Sequence, residues 1–254
     1  YITIGGNGKR VQTSPLITHP VQTVTYSNDR VFHELDTINL LAGGKEWFGE
    51  EFTNAPGKTL TRSFPVTIPN YQAGAVLTLR SNVVARSVGT ASRFDIRIDN
   101  QPVAQLQVNP VTGGVYDPYV QQGTVLATVI NNSAAPVINY SYTPGSFNAQ
   151  GWLNWFEIFS RRAISLNGVS QLLFRDWSSV NNSPAAFVVS QAQTGTQVWE
   201  VTDPANPQQM QGQLNGTDFR FVNTCERLRE YAAFTTNGLM QPVSADKIGN
   251  QDLH

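Results

Sequence analysis

The sequence predicts an all-β protein, namely an antiparallel β-sandwich of the jelly-roll type followed by a smaller, blade-like antiparallel β-sheet unit. Three observations predict it. Apolar and polar residues alternate with a period of two through much of the chain, as they do in half-buried strands. Between Thr59 and Arg162 there are about eight evenly spaced strand-like segments, the number that a jelly roll requires. After Gly168 the apolar segments become shorter, which indicates a second unit.

The segments with the clearest alternation lie in the first part of the chain, at residues 59–68, 75–86, 92–98, 103–108, 124–130, 137–142 and 152–159. The second of them is long enough to need a bend or a bulge near Ser81 and Asn82. The sequence Asp99-Asn-Gln-Pro102 is typical of a tight turn, and it separates two alternating segments. We therefore predict a hairpin at this turn.

One short helix is predicted in the part of the chain before the sandwich. Asp36 can cap the first turn of residues 37–41, and Gly43-Gly44 can end the helix. Residues 226–230 are a weaker helical candidate, since they could equally lead into a strand at 231–234.

The second unit resembles one blade of a β-propeller. Its short apolar segments are residues 171–174, 186–189, 197–201 and 218–222, with 231–234 as a possible fifth, and Asp203-Pro-Ala-Asn-Pro207 closes the third. The chain holds no second copy, so a closed propeller is excluded. Because an isolated blade cannot bury both of its faces, we expect its apolar face to lie against a neighbouring domain. The residues expected on that face are Phe187, Val189, Val198 and Phe221.

These patterns divide the chain into three parts: an N-terminal arm with strands and one short helix at 1–58, the sandwich at 59–168, and the small β unit at 169–254. In the last part, Ile248 and Leu253 flank the turn-forming sequence Gly249-Asn-Gln-Asp252. This pattern is typical of a connector, so we expect residues 244–254 to lead into a further folded domain.

Composition limits the function classes. Charged residues make up only 14% of the chain and the net charge is −1, so the clustered cations that nucleic-acid binding needs are absent. No run of residues approaches the roughly 20 apolar residues of a membrane span. Few charges with abundant Thr, Ser, Asn and Gln indicate an extracytoplasmic protein. The single cysteine, Cys225, cannot form an internal disulfide.

Two polar candidates are interpreted as structural. His33-Glu34-Leu-Asp36 has neither the spacing of a helical zinc site nor that of a calcium loop, so we expect no metal site there. Cys225 stands next to Glu226, and no sequence context suggests a base that would activate its thiol. We expect neither a catalytic residue nor a cofactor in this chain.

Aromatic residues are the best candidates for binding a ligand or partner: Trp152 and Trp155 in the segment 152–159, and Phe187 and Trp199 in the small unit. A strict period of two would place Trp152 and Phe156 on one face and Leu153 and Trp155 on the other. Both faces would then be largely apolar, so packing in the core or between domains is favoured over ligand binding. A carbohydrate-binding module remains the alternative, because exposed tryptophans can stack on sugar rings.

Several short motifs occur in the order typical of one family. They are Val31-Phe-His-Glu34, Gly43-Gly-Lys-Glu-Trp-Phe-Gly-Glu50, Gly151-Trp-Leu-Asn-Trp-Phe-Glu157 with Arg161-Arg162, Val198-Trp-Glu-Val-Thr-Asp-Pro204 and Asn250-Gln-Asp-Leu-His254. Together they resemble the non-catalytic amino-terminal region of the gingipain-like cysteine peptidases that act as sortases of the type IX secretion system. The family commonly carries Tyr and Asp where this chain has Trp and Asn in the third motif. In the second motif we expect Trp47 to be a structural anchor.

The resemblance implies a cell-surface peptidase that is associated with the outer membrane. Such a sortase removes the carboxy-terminal sorting signal of secreted cargo and joins the cargo to lipopolysaccharide, together with an outer-membrane barrel partner. Its catalytic Cys and His belong to the domain that follows this region. The chain is therefore expected to be a scaffold without activity of its own, and to have the peptidase domain as its neighbour.

Overall fold

The computed structural model describes residues 8–240 and 243, and the fold is almost entirely β-structure. The chain forms two compact units. One comprises Tyr26–Ala163, and the other combines the residues up to Thr25 with those from Ile164 onward. This division differs from the predicted boundaries at 59 and 169, because the N-terminal arm contributes strands to both units. The predicted connector at 244–254 lies outside the described residues.

The strands of the described residues are numbered in chain order. Up to Ala163 they are β1 (Gln12–Thr13), β2 (Gln22–Val24), β3 (Tyr26–Glu34), β4 (Glu51–Phe52), β5 (Thr61–Pro65), β6 (Val76–Arg86), β7 (Ser92–Ile98), β8 (Gln101–Val108), β9 (Gln121–Ile130), β10 (Val137–Thr143) and β11 (Gln150–Ala163). Those that follow are β12 (Gln171–Arg175), β13 (Ala185–Val189), β14 (Gln197–Glu200), β15 (Gln208–Gln209), β16 (Gly212–Asn215), β17 (Asp218–Asn223) and β18 (Glu230–Phe234).

The unit Tyr26–Ala163 is a jelly roll, which confirms the predicted fold class. Strand β3 pairs with β11, β5 with β10, β6 with β9 and β7 with β8, all antiparallel. These nested pairs fall alternately in two sheets, with the orders β3-β11-β6-β9 and β5-β10-β7-β8. The short strand β4 also pairs with β11. In chain order the first of the eight strands of the roll is β3, which lies before residue 59, the predicted start of the sandwich.

Aromatic side chains from both sheets fill the space between them. Phe52, Phe94, Tyr140 and Phe156 are all buried in one continuous cluster. The rings of Phe52 and Phe94 meet edge to face with centroids 5.4 Å apart, an arrangement that aromatic pairs favour. This core fixes the β3-β11-β6-β9 sheet, whose opposite side carries the candidate site.

The second unit has two sheets rather than the single blade that we expected. Their orders are β1-β15-β14-β18-β12 and β16-β17-β13-β2. Strands β1 and β2 come from the N-terminal arm and pair in parallel with β15 and β13. Between the sheets Phe174, Phe187, Phe221 and Tyr231 are packed in a second buried cluster. The unit thus covers its own apolar face.

The predicted helix at 37–41 is absent from the structure. Ile38 and Phe48 instead exchange backbone hydrogen bonds of 2.9 and 2.8 Å, which close a loop, and the side chain of Asn39 bonds the backbone within it. Pairing with a distant residue thus overrides the local capping signal. Residues 226–230 are not helical either, and they lead into β18. The helical turns of the described residues, Trp177–Ser179 and Thr236–Gly238, are far too short to cross a membrane.

Candidate functional site

A β-bulge in β11 decides where its tryptophans point. Leu153 pairs with Val83 but Trp155 pairs with Asn82, so Asn154 is an extra residue in the strand. The alternation therefore changes phase, and Leu153 faces the sandwich core together with Phe156. Trp152 and Trp155 both lie on the opposite side of the sheet. The predicted assignment of residues to faces is wrong on the N-terminal side of the bulge for this reason.

Trp152 is buried and has only 2% of its surface exposed. It packs against Phe48 and Val84, under the loop of residues 35–49. The predicted anchor of this loop, Trp47, is 44% exposed, and the neighbouring Phe48 is the buried residue. The loop is held on β11 by a hydrogen bond of 2.9 Å from the N–H of Gly49 to the carbonyl of Leu153. Trp152 therefore cannot stack on a ligand at the surface.

Trp155 belongs to a surface that we call the outer face, which is the solvent-facing side of β3-β11-β6-β9. The outer face is made of Arg30, Phe32, Arg80, Leu126, Trp155, Glu157 and Phe159. Strand pairing places Phe32, Glu157, Arg80 and Leu126 in one row across the sheet. Trp155 lies in the next row along β11. Its ring is beside that of Phe32, with the centroids 6.5 Å apart.

Arginine and aromatic side chains alternate at the centre of the outer face. The Arg30 guanidinium lies 4.9 Å from the ring centroid of Phe32, and that of Arg80 lies 5.2 Å from that of Trp155. Both guanidinium groups also form ion pairs with Glu157, whose carboxylate is nearly buried between them. These contacts combine cation–π and ionic attraction, and they hold the exposed aromatic rings in defined positions.

Three apolar side chains of the outer face are open to solvent. Leu126 on the edge strand β9 is 68% exposed and Phe32 on the edge strand β3 is 46% exposed, while Phe159 is also exposed between them. Single exposed apolar residues are common on protein surfaces, but three of them on one sheet face, separated by the paired charges of Glu157 and Arg80, form the mixed apolar and charged surface that is typical of contacts between domains.

A cleft of about 460 Å³ borders the outer face at Trp155. It is lined by Glu34, Asp36, Lys45, Glu46, Trp47, Phe48, Val84, Pro118, Val120, Gln122, Asn154 and Trp155. A second recess of about 400 Å³, formed mainly by Leu40, Leu41 and Tyr119 with adjoining backbone, shares Lys45, Glu46, Phe48 and Val120 with the cleft. The loop 35–49 thus separates and lines both cavities.

The two candidates in the second unit are structural. Phe187 is 1% exposed and stacks on Phe221 with centroids 5.2 Å apart. Our expectation that Phe187, Val189, Val198 and Phe221 face a neighbouring domain is therefore wrong, since all of them lie inside the unit's own core. Trp199 is half-buried, meets Phe234 edge to face at 5.1 Å and donates its indole N–H to Gln197.

Cys225 is fully buried, and its thiol donates a weak hydrogen bond to the carbonyl of Asn223 at 3.6 Å. Burial is the main cause that raises the pKa of this thiol, which keeps it protonated at neutral pH. In the same unit, the described histidine is His19, which is exposed and lies 2.9 Å from the hydroxyl of Thr18. None of these contacts provides the base that a nucleophilic thiol needs.

The residues of the His33-Glu34-Leu-Asp36 motif are not brought together. His33 points toward the core, where it stacks on Phe156 at 4.9 Å and lies 2.9 Å from a carboxylate oxygen of Glu50. Glu34 and Asp36 line the cleft instead. Within residues 8–240 there is no group of three or more potential metal ligands.

Sequence reasoning missed Arg30, Phe32, Arg80 and Gln122. Alternation alone would have placed Arg30 and Phe32 on one face of β3. What it could not supply is the pairing of β3 and β6 with β11, because these strands are far apart in the chain. The juxtaposition of their side chains with Trp155 depends on that pairing.

No family model and no curated protein matches the chain. Among solved structures, the dimeric latent PorU of Porphyromonas gingivalis matches 89% of the chain with a TM-score of 0.73 and 14% sequence identity. This match covers 22% of PorU, so the chain spans about a fifth of that protein's length. The chain has the fold of a region of PorU, and the resemblance drawn from the motifs is confirmed at the level of the fold.

A carbohydrate-binding module, CBM36, solved with calcium and xylotriose, is also similar in part. It aligns with 51% of this chain and 98% of its own length, at 14% identity. Its TM-score of 0.26 is too low to indicate the same fold.

Proposed function

We propose that this chain is a non-catalytic β scaffold within a cell-surface, gingipain-like sortase or peptidase of the type IX secretion system. In this role it orients the peptidase domain of the same polypeptide and provides surface for docking partners. The observation that carries the proposal is the shared fold with PorU over 89% of the chain. The motifs of the sequence support it independently, because they occur in the order typical of the same family.

The absence of catalysis in this chain is part of the proposal. Cysteine peptidases need a thiolate and a base within hydrogen-bond reach. Burial raises the pKa of the Cys225 thiol, and its hydrogen-bonding neighbours are the Asn223 carbonyl, the Ser179 side chain and the Ala185 backbone, none of which is a base. These features are those of a structural cysteine.

The outer face is the surface that we assign to the neighbouring peptidase domain. It presents Phe32, Leu126 and Phe159 to solvent. Arg30 and Arg80, which both pair with Glu157, hold the rings of Phe32 and Trp155 in place. Interfaces between domains usually bury about 600–1,500 Å² and are more polar than permanent interfaces. The outer face likewise combines apolar with charged groups. The similar PorU is several times longer than this chain, which supports the proposal that a further domain covers this surface.

The experiment compares the full-length polypeptide with a form that lacks this chain. We expect the deletion to reduce the stability of the peptidase domain, its association with the outer-membrane barrel partner and its processing of secreted cargo. Equal values of all three quantities in both forms would refute the scaffold role.

A pair of substitutions tests the outer face itself without removing the domain. Phe32→Ser with Leu126→Ser in the full-length polypeptide should weaken domain association, seen as faster limited proteolysis between domains. The matched control is Phe147→Ser, which replaces an exposed aromatic residue on the loop between β10 and β11. Unchanged proteolysis of the double variant would show that the outer face is not the docking surface.

A further inference from the structure

The cleft beside the outer face is lined by aromatic rings and by polar side chains. Trp47 and Trp155 supply indole rings, one 44% exposed and the other half-buried. Side chains with carboxylate, amide and ammonium groups surround them. The volume of about 460 Å³ lies in the range of roughly 300–1,000 Å³ that is typical of small-molecule sites. The volume and the mixed lining suit a ligand that has an apolar face and several polar groups.

The polar groups of the cleft have unused hydrogen-bonding capacity. Within the described part of the chain, Glu34, Asp36, Lys45 and Glu46 form no side-chain hydrogen bond and no ion pair. Acceptors and a donor are therefore present on the same wall, at the rim of the cleft.

The amides at the floor of the cleft are held in place by Asn82. The side-chain N–H of Asn82 donates a hydrogen bond of 3.4 Å to the side-chain carbonyl of Gln122. The side-chain N–H of Asn154 donates a hydrogen bond of 3.0 Å to the side-chain carbonyl of Asn82. Each amide thereby keeps its other end for a ligand: Gln122 offers its N–H groups, and Asn154 offers its carbonyl oxygen. Asn154 is the extra residue of the β-bulge in β11.

One buried donor lies behind the residues that line the cleft. The indole N–H of Trp152 is buried and has no hydrogen-bond partner among the described residues. Trp152 packs against Phe48 and Val84, which both line the cleft. A buried polar group without a partner is unusual in a folded protein, but Trp152 does not line the cleft, so a ligand there would contact Phe48 and Val84 rather than this indole.

We propose that this cleft binds an uncharged sugar residue of a glycan. The apolar face of a sugar ring can lie against Trp47 or Trp155, and hydroxyl groups both donate and accept, as the mixed lining demands. Three carboxylates against the single ammonium group of Lys45 disfavour uronic acids and phosphorylated sugars by like-charge repulsion. A basic peptide would also suit the carboxylates, and its backbone carbonyls could accept from Gln122, but the two indole rings favour a sugar ring, so the peptide is the alternative outcome of the test.

Trp155 belongs to both the outer face and the cleft, so a domain that covered Trp155 would compete with a sugar there, and titration of the isolated chain measures sugar binding without that competition. The site differs from the sugar platform that the sequence suggested. That alternative placed Trp152 and Trp155 on ligand, whereas the cleft uses Trp47 and Trp155 and keeps Trp152 buried. The chain can act as a scaffold even if the cleft binds no sugar, and the cleft can bind a sugar even if the chain is not a scaffold.

The experiment titrates the 254-residue chain with neutral tetrasaccharides of xylose, glucose and N-acetylglucosamine. Tetragalacturonate serves as the anionic counterpart, and tetra-arginine serves as the basic peptide. Intrinsic tryptophan fluorescence and calorimetry measure binding. We expect at least one neutral tetrasaccharide to bind with a Kd below about 1 mM, and tetragalacturonate to bind at least about tenfold more weakly.

Variants then locate the site. Trp47→Ala and Gln122→Ala should each weaken the binding of that sugar by about tenfold or more, whereas Trp177→Ala, at an exposed tryptophan of the other unit, should not change it. Circular dichroism confirms that each variant is folded. The proposal is overturned if no neutral sugar binds, if tetra-arginine alone binds, or if folded Trp47→Ala and Gln122→Ala bind the sugar as the original chain does.

Discussion

The hydroxyl of Tyr140 on β10 donates a hydrogen bond of 2.8 Å to Ser81 on β6, across the core that separates the two sheets of the jelly roll. Ser81 in turn donates to the carbonyl of Trp155, at 3.2 Å. This chain of two bonds links the interior of the sandwich to the strand segment that carries the outer face. Burial raises the pKa of Tyr140 above its ordinary value, so the hydroxyl remains a donor at any physiological pH.

We expect Tyr140→Phe to lower the free energy of unfolding by about 1 kcal/mol, because a buried hydrogen bond is lost while Ser81 keeps its bond to Trp155. Chemical denaturation measures this change. Tyr116→Phe is the control, since Tyr116 is fully exposed, and it should be neutral. Equal stability of both variants would mean that the bond between the sheets contributes nothing.

Gly49 is needed where the loop 35–49 crosses β11. A Cβ atom at this position would come within 2.7 Å of the carbonyl oxygen of Leu35. Gly49→Ala should therefore destabilise the protein by about 1–3 kcal/mol, the range for overpacking. It should also displace the wall of the cleft, which near-ultraviolet circular dichroism of the tryptophans can detect.

Gly44→Ala is the matched control for that loop, because a Cβ atom at Gly44 would have no neighbour within 4 Å. We expect it to leave both stability and the tryptophan spectrum unchanged. If Gly49→Ala behaved in the same way, the close approach of the loop to Leu35 would not determine its position.

Cys225 should be inert toward thiol reagents while the protein is folded. Burial raises the pKa of its thiol and also blocks access to it. Ellman's reagent should therefore label the protein only in denaturant, with a midpoint that matches unfolding followed by fluorescence. Rapid labelling of the native protein at neutral pH would contradict the structural role of Cys225.

The hydrogen bonds between Asp117 and Thr112, which hold the loop before β9, should be lost in acid. Hydrogen bonds from the side chain and backbone of Thr112 lower the pKa of the Asp117 carboxyl below its ordinary value of 3.8. A lowered pKa in the folded state favours the loop conformation at pH values above the ordinary pKa, and this effect is lost as the pH falls through the folded value. The Thr112 amide resonance should therefore titrate below pH 3.8, and titration at or above that value would contradict the role of these hydrogen bonds.

Local patterns were sufficient for the elements whose partners are close in the chain. Strands β7 and β8 alternate regularly, and the turn at Asp99 and Asn100 lies between them, so the predicted hairpin is present as expected. The jelly-roll class followed from strand number and spacing, and neither depends on the details of pairing.

The positions of the tryptophans could not be predicted in the same way. Whether Trp152 points inward or outward depends on one extra residue, Asn154, and the bulge exists only relative to the partner strand β6. The second unit buries its apolar face between two sheets, and the parallel pairing of Val24 with Phe187, two residues far apart in the sequence, adds β2 to one of these sheets. A local pattern contains no information about such contacts, so Phe187 was expected on a surface, whereas its ring packs against Tyr231 of the other sheet.

The measurement that tests the scaffold role most directly is hydroxyl-radical footprinting of the outer face, in the isolated chain and in the full-length polypeptide. Our proposal predicts that oxidation of Phe32, Leu126 and Phe159 falls several-fold in the full-length protein, while oxidation of the control residue Phe147 stays the same. Equal oxidation of the outer face in both forms would show that no neighbouring domain covers it, and would contradict the docking role that we propose.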